Sequence, residues 1–163
     1  MSMQSLSHMS YVLSGQMQIG HGHQVLTALL GSCVGIGMIW RNQRRCGLAH
    51  CFLPDGVEAC EDSARYVSAA VPRLLALMGV RREQYAEVDV VIAGGARMLN
   101  LRASGGAVGT RNVEAARSQL SLRGLQVSFQ DVGGSQGRRL SIDCDQQTFS
   151  VVRIAREQHA VAA

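Results

Sequence analysis

The chain has 163 residues and a net charge of +4, with 47% hydrophobic and 17% charged residues. That balance excludes a disordered polyelectrolyte and supplies one domain with enough apolar surface for a core. All 16 basic residues are arginine, so a Schiff-base lysine, a lysine general base and a P-loop lysine are excluded together. The arginines are scattered and aromatics make up only 4%, which removes the stacking platforms of a single-strand nucleic-acid binder and leaves a weak preference for acidic partners.

Residues 1–9 are expected to be a loose end. Tyr11 to Ile19 alternates loosely and is expected to be a first strand. Gly20-His21-Gly22-His23 reads as a turn; two histidines in such a loop are more often solvated than metal ligands. Gln24 to Leu30 is a second strand. An apolar run, Val34 to Trp40, follows Gly31-Ser32-Cys33. It turns through Arg41-Asn42-Gln43-Arg44-Arg45 and returns as Cys46 to Leu53, the pattern of a β-hairpin. Pro54-Asp55-Gly56 closes it with turn residues. A helix is expected from about Asp62 to Met78, with Ala64, Val67, Ala70, Val71, Leu74, Leu75 and Met78 at helical spacing and Gly79 as its cap. Pro72 should kink or divide it. Glu87 to Ala93 is a buried strand ended by Gly94-Gly95, and Ala96 to Gly109 is irregular. A second helix, capped by Thr110 or Asn112, runs to Arg123 and stops at Gly124. Strands follow at Leu125 to Val132, Arg138 to Cys144 and Phe149 to Ile154, and residues 157–163 are a loose tail.

Seven or eight strands with two helices, hairpins at both ends and a helix-strand-helix centre, predict a single α+β domain over 1–163. It would be a layered sandwich with mixed or largely antiparallel sheets rather than a doubly wound parallel one. No apolar run reaches membrane-spanning length, and the N-terminus lacks a basic region followed by an apolar one. A cytoplasmic location is therefore expected, with the five cysteines (33, 46, 51, 60 and 144) reduced.

Four groups of residues compete for chemistry. Cys33 with His50 is the first: a histidine can take the proton of a thiol and stabilise the thiolate. A hairpin turn centred on Arg41-Asn42 would set the two opposite each other, about 5 Å apart at Cβ. A turn centred later separates them. The small neighbours Gly31 and Ser32 would admit a substrate and leave backbone N–H groups as oxyanion donors. On the residues alone, a buried structural cysteine beside a satisfied histidine reads equally well. Cys46, His50, Cys51 and Cys60 have the donor types for zinc but no C-x2-C knuckle, and His50 and Cys51 should point to opposite strand faces. Gly105 to Thr110 before a helix is a weak anion-loop pattern. Glu58, Glu61 and Asp62 read as a solvated helix entry.

LLGSCVG followed by GLAHCFLP resembles the chemoreceptor glutamine deamidases of bacterial chemotaxis, the CheD family, whose T-x5-C-x16-H constellation falls here on Thr27, Cys33 and His50. The likeness continues through Arg65-Tyr66, Gly94-Gly95-Ala96-x-Met98, Gly109-x-Arg111-Asn112 and Asp131-Val132-Gly133-Gly134-x-x-Gly137-Arg138. It departs from the family at Thr110, at Pro72 and in the second thiol, Cys51. The resemblance implies a sandwich like that of toxin-type cysteine glutamine deamidases. It implies conversion of glutamine to glutamate on cytoplasmic helices of methyl-accepting chemotaxis receptors, through a thioester and without metal or organic cofactor. Cys33 would be nucleophile, His50 acid and base, Thr27 the residue that orients His50, and Gly31 and Ser32 would line the oxyanion site. The alternative is a catalytically idle module that docks on receptors or on a chemotaxis phosphatase.

Overall fold

The computed structural model describes residues 7–58, 60, 63–97 and 107–155. Within them the chain forms β1 (His8–Tyr11), β2 (Met17–Gly20), β3 (Gln24–Leu30), β4 (Val34–Trp40), β5 (Arg45–Cys51), α1 (Val67–Met78), β6 (Val88–Gly94), α2 (Val108–Leu122), β7 (Val127–Val132), β8 (Arg138–Asp143) and β9 (Thr148–Arg153). A four-stranded sheet runs β1-β3-β8-β9 and a five-stranded sheet β2-β5-β4-β6-β7. Both are mixed, because β1 lies parallel to β3 and β6 parallel to β7 while the other pairs are antiparallel. The expected α+β layered sandwich with two main helices is the architecture observed.

Every residue of β4 is buried because both of its faces are covered. Val34, Ile36, Met38 and Trp40 pack on the helices with Leu74, Met78, Ala116 and Leu120. Its alternate positions face the four-stranded sheet, where Leu26, Ala28, Leu30, Leu140 and Ile142 meet Leu48, Val91 and Ala93. Alternation on a strand thus sorts one sequence into two cores. The glycine at 37 permits this approach: a Cβ there would lie 2.6 Å from Ile142 Cδ1 and 2.7 Å from Val91 Cγ1.

Several expectations change. The single strand over Tyr11 to Ile19 is two strands in different sheets, broken at Ser14-Gly15, where Gly15 takes φ +83°. Ordered structure also begins sooner than residue 10, since His8 opens β1. α1 starts at Val67, because Ser63 and Tyr66 are spent on bridges to Gln16 and Leu53. Pro72 does not divide it; in the second turn its missing N–H frees one carbonyl, that of Ser68. Glu58 is not a solvated helix entry: it is buried, and its carboxylate accepts the Tyr66 N–H at 2.9 Å. α2 starts at Val108, ahead of both proposed caps. Strands β7 and β8 belong to different sheets, so the segment between them is a crossing and not a hairpin. The cysteines are not all free: Cys46 of β5 is bonded to Cys144 across the sandwich. Met98, Gly105, Gly106 and residues 157–163 lie outside the described residues. Among the described residues no helix is long and apolar enough to cross a membrane.

Candidate active site

The loop Gly31–Cys33 joins β3 of one sheet to β4 of the other, so the crossing point of the sandwich carries the thiol. All three of its carbonyls are tied down on one side. Gly31 O accepts Ala96 N–H at 2.9 Å, Cys33 O accepts Gly95 N–H at 2.8 Å, and Ser32 O accepts from Asn112 Nδ2 at 3.1 Å. The close approach needs glycine at 94, which has φ +101° and where a Cβ would stand 2.2 Å from Cys33 O. With the carbonyls committed, no backbone hydrogen bond among the described residues is donated by Ser32 or Cys33 N–H. Cys33 itself is half-buried and free.

His50 lies on β5. The hairpin turns one residue later than Arg41-Asn42, so His50 pairs with Gly35 and not with Cys33. Cys33 sits two residues beyond that pair on the same face, a diagonal of about 7–8 Å in a regular sheet. The imidazole is 5% exposed and its Nδ1 lies 2.9 Å from Val12 O. A carbonyl only accepts, so Nδ1 carries the hydrogen and the neutral ring keeps its lone pair at Nε2. Burial holds the His50 pKa below its usual value, with the Val12 bond opposing in part.

The sulfur of Cys33 is 3.7 Å from Ser14 Oγ. Burial raises the thiol pKa, while the Ser14 hydroxyl and the backbone N–H of Cys33 pull it down. At rest near neutral pH the pair is thiol and neutral imidazole, not a preformed ion pair. Nucleophile and base are thus held by residues two apart, Val12 and Ser14, in one turn.

Thr27 is fully buried on β3, but its hydroxyl points away from that turn. Its Oγ1 meets Ser141 Oγ at 3.1 Å on the face opposite Leu26 and Ala28. It reaches His50 only through the backbone: Thr27 O accepts Val12 N–H at 2.8 Å, and Val12 O in turn accepts from the imidazole. The expected orienting role of the Thr27 side chain is therefore replaced by the Val12 carbonyl, because β3 has its even positions turned inward.

The competing groups separate. Cys51 faces the helix-side core, away from His50, and burial above all pushes its pKa far up, with Cys33 and Glu58 adding to the rise. Cys60 is exposed. Gly109 is used for packing, since a Cβ there would be 2.6 Å from Gly95 O. Sequence reasoning missed three site-forming residues. Val12 and Ser14 had a signal in the Ser14-Gly15 break, a turn pair read through as strand. Asn112 had been read only as a cap. It is fully buried and clasps both ends of the hairpin, its Nδ2 donating to Ser32 O and, at 3.2 Å, to Phe52 O.

Comparison with known proteins gives consistent matches. A family model described as CheD chemotactic sensory transduction matches residues 52–153, beginning just after His50. A Bdellovibrio bacteriovorus protein named probable chemoreceptor glutamine deamidase CheD is 38% identical over 83% of this chain and 88% of its own. One from a Ruegeria species, named probable chemoreceptor glutamine deamidase CheD 2, is 36% identical over 90% of this chain and 92% of its own. A third, from Geobacter sulfurreducens and carrying the same name, is 37% identical over 80% of both chains.

Proposed function

The chain belongs to the CheD family, and on that premise we propose that it is a cysteine-dependent deamidase that hydrolyses glutamine side chains of chemoreceptors to glutamate and ammonia. The observation that carries the reading is the attachment of Cys33 and His50 to one turn, with the free imidazole nitrogen at Nε2.

The chemistry follows from the protonation states. As the Cys33 sulfur attacks the carboxamide carbon, its proton passes to His50 Nε2, and the C=O electron pair moves onto oxygen. The undonated N–H groups of Ser32 and Cys33 are the groups available to that oxyanion. Collapse reforms C=O and breaks C–N, and the nitrogen leaves as ammonia after taking the proton from Nε2. The thioester that remains is attacked by water, whose proton goes to Nε2. The C–S bond breaks, and the sulfur recovers its proton. The depressed His50 pKa keeps the base unprotonated at neutral pH, and its bond to Val12 O fixes the ring through both stages. An amide is a poor electrophile with a poor leaving group, so oxyanion donation and leaving-group protonation both matter. This site has candidates for each.

The test is mass spectrometry on a chemoreceptor cytoplasmic fragment incubated with the protein, with Cys33→Ala and with His50→Ala. Deamidation at defined glutamines, about 1 Da each, should occur with the wild type and vanish with both variants. A folded, reduced wild type that converts no glutamine in several receptors would leave a docking module as the better description.

A further inference from the structure

Ser14 sits in the turn between β1 and β2, a segment that the deamidase reading does not otherwise use. Four hydrogen bonds draw the site onto that turn. Val12 O holds the His50 ring at 2.9 Å. Gly15 N–H donates to His50 O at 2.8 Å, and His50 N–H donates to Gln16 O at 2.9 Å. Ser14 Oγ meets Cys33 Sγ at 3.7 Å. The turn is fixed from behind as well: Ala64 N–H donates to Gly15 O at 2.8 Å, and Gln16 Oε1 closes it by accepting Leu13 N–H at 3.1 Å. An exposed serine is thereby held in one place without being buried.

We propose that Ser14 is a further catalytic residue, whose hydroxyl donates to the Cys33 sulfur as that sulfur becomes anionic. This rests on Cys33 being the nucleophile. In the resting pair either atom can donate, because thiol and hydroxyl each carry a hydrogen. Once the thiol proton has gone to His50 Nε2, the sulfur only accepts, so Ser14 is the donor. A hydrogen bond to an ion is about twice as strong as one between neutral groups. The contact therefore strengthens along the reaction coordinate and favours the transition state over the ground state. Burial raises the Cys33 thiol pKa and the Ser14 bond opposes it, which agrees with this direction. The same turn holds the imidazole, so Ser14 tunes the nucleophile from the scaffold that orients the base.

The test needs no receptor. Alkylation of Cys33 by iodoacetamide is followed from pH 6 to 10 by peptide mass spectrometry, which separates Cys33 from the exposed Cys60. Ser14→Ala should move the titration of the thiol upward and slow its alkylation near pH 7.5 by about tenfold, the equivalent of one pH unit. Ser14→Thr, which restores a hydroxyl, should recover most of the rate, while the near-isosteric Ser14→Val should behave as Ser14→Ala. The Thr and Val pair isolates the hydroxyl even if Ser14→Ala weakens the fold. Superposable pH profiles for wild type and Ser14→Ala, or equal rates for Thr and Val variants, would overturn the proposal. A protein whose Cys33 responds to Ser14 as expected but which converts no receptor glutamine refutes the deamidase reading and leaves the Ser14–Cys33 coupling intact.

Discussion

Asn112→Asp should separate the stability of the site from its packing. The substitution keeps size and shape at a position with 0% exposure. It replaces one nitrogen, which donates to Ser32 O at 3.1 Å and Phe52 O at 3.2 Å, with an oxygen. If the new carboxyl ionises, both bonds are lost, at about 1 kcal/mol each, and two oxygens of the same sign face the anion. The other carboxyl oxygen finds no donor either, since Asn112 Oδ1 has no partner among the described residues. The group therefore holds its proton in the folded state and donates to one carbonyl, so its folded pKa rises above the unfolded value of about 3.9. The sign follows from proton counting. Above the unfolded pKa the native state binds more protons, so stability falls by about 1.4 kcal/mol per pH unit until the folded pKa is passed, then levels. We expect a penalty of about 1–2 kcal/mol near pH 4.5, from one lost bond and one abandoned carbonyl, growing to about 4 kcal/mol at pH 7.5. Asn112→Ala should instead lose a similar amount at both values. Urea unfolding of the three proteins, followed by far-UV circular dichroism, measures this. A penalty for Asn112→Asp below 1 kcal/mol at pH 7.5, or one that does not grow with pH, would refute the assignment of Asn112 as the clasp.

Four further outcomes are expected. Because burial lowers the His50 pKa, the acid limb of kcat/KM for deamidation should have its midpoint below 6.5; a midpoint at or above 6.5 contradicts the buried, Val12-bound imidazole. Thiol titration in denaturant without reductant should count three free cysteines, Cys33, Cys51 and Cys60, and reduction should add Cys46 and Cys144; five at the outset would refute the inter-sheet bond. Arg153 first, then Arg138, holds the Asp131 carboxyl below 3.8, so its contribution is present above that pH and lost as pH falls through the folded value. Asp131→Asn should therefore be less stable than wild type at pH 7 in urea unfolding, with the difference closing at acid pH. Gly94→Ala should cost about 2 kcal/mol or more in the same assay, because a Cβ at φ +101° would press on Cys33 O, and it should alter Cys33 alkylation along with stability.

Much of the fold was legible because local signals and tertiary demands agreed. Gln24 to Leu30 was found with its true limits, Gly79 caps α1 in the left-handed conformation, and the hairpin on either side of Arg41–Gln43 follows from two apolar runs around a polar break. The pairing register was not legible. Moving the turn by one residue changes the partner of His50 from Cys33 to Gly35 while every side chain stays on its face, so the hydrophobic pattern is blind to it. The distribution of strands between sheets was hidden for a related reason. β1 pairs with β3 in parallel and β6 with β7, and such contacts depend on long-range packing that leaves little local trace.

The candidate site divides along the same line. By itself the sequence determined which groups carry the chemistry: one thiol between small residues and one histidine on the returning strand, at a spacing the resemblance picks out. Those properties are intrinsic to the residues. The tertiary structure decided what holds them. The Thr27 hydroxyl turns outward to Ser141, while the carbonyl of Val12, which every residue type carries and no sequence can advertise, fixes the imidazole. Ser14 and Asn112 reach the Cys33 loop from 19 and 80 residues away in the chain. Strand alternation set the direction of each side chain, and the stacking of two sheets brought those distant segments together, so only the folded chain could show that one turn holds both thiol and base.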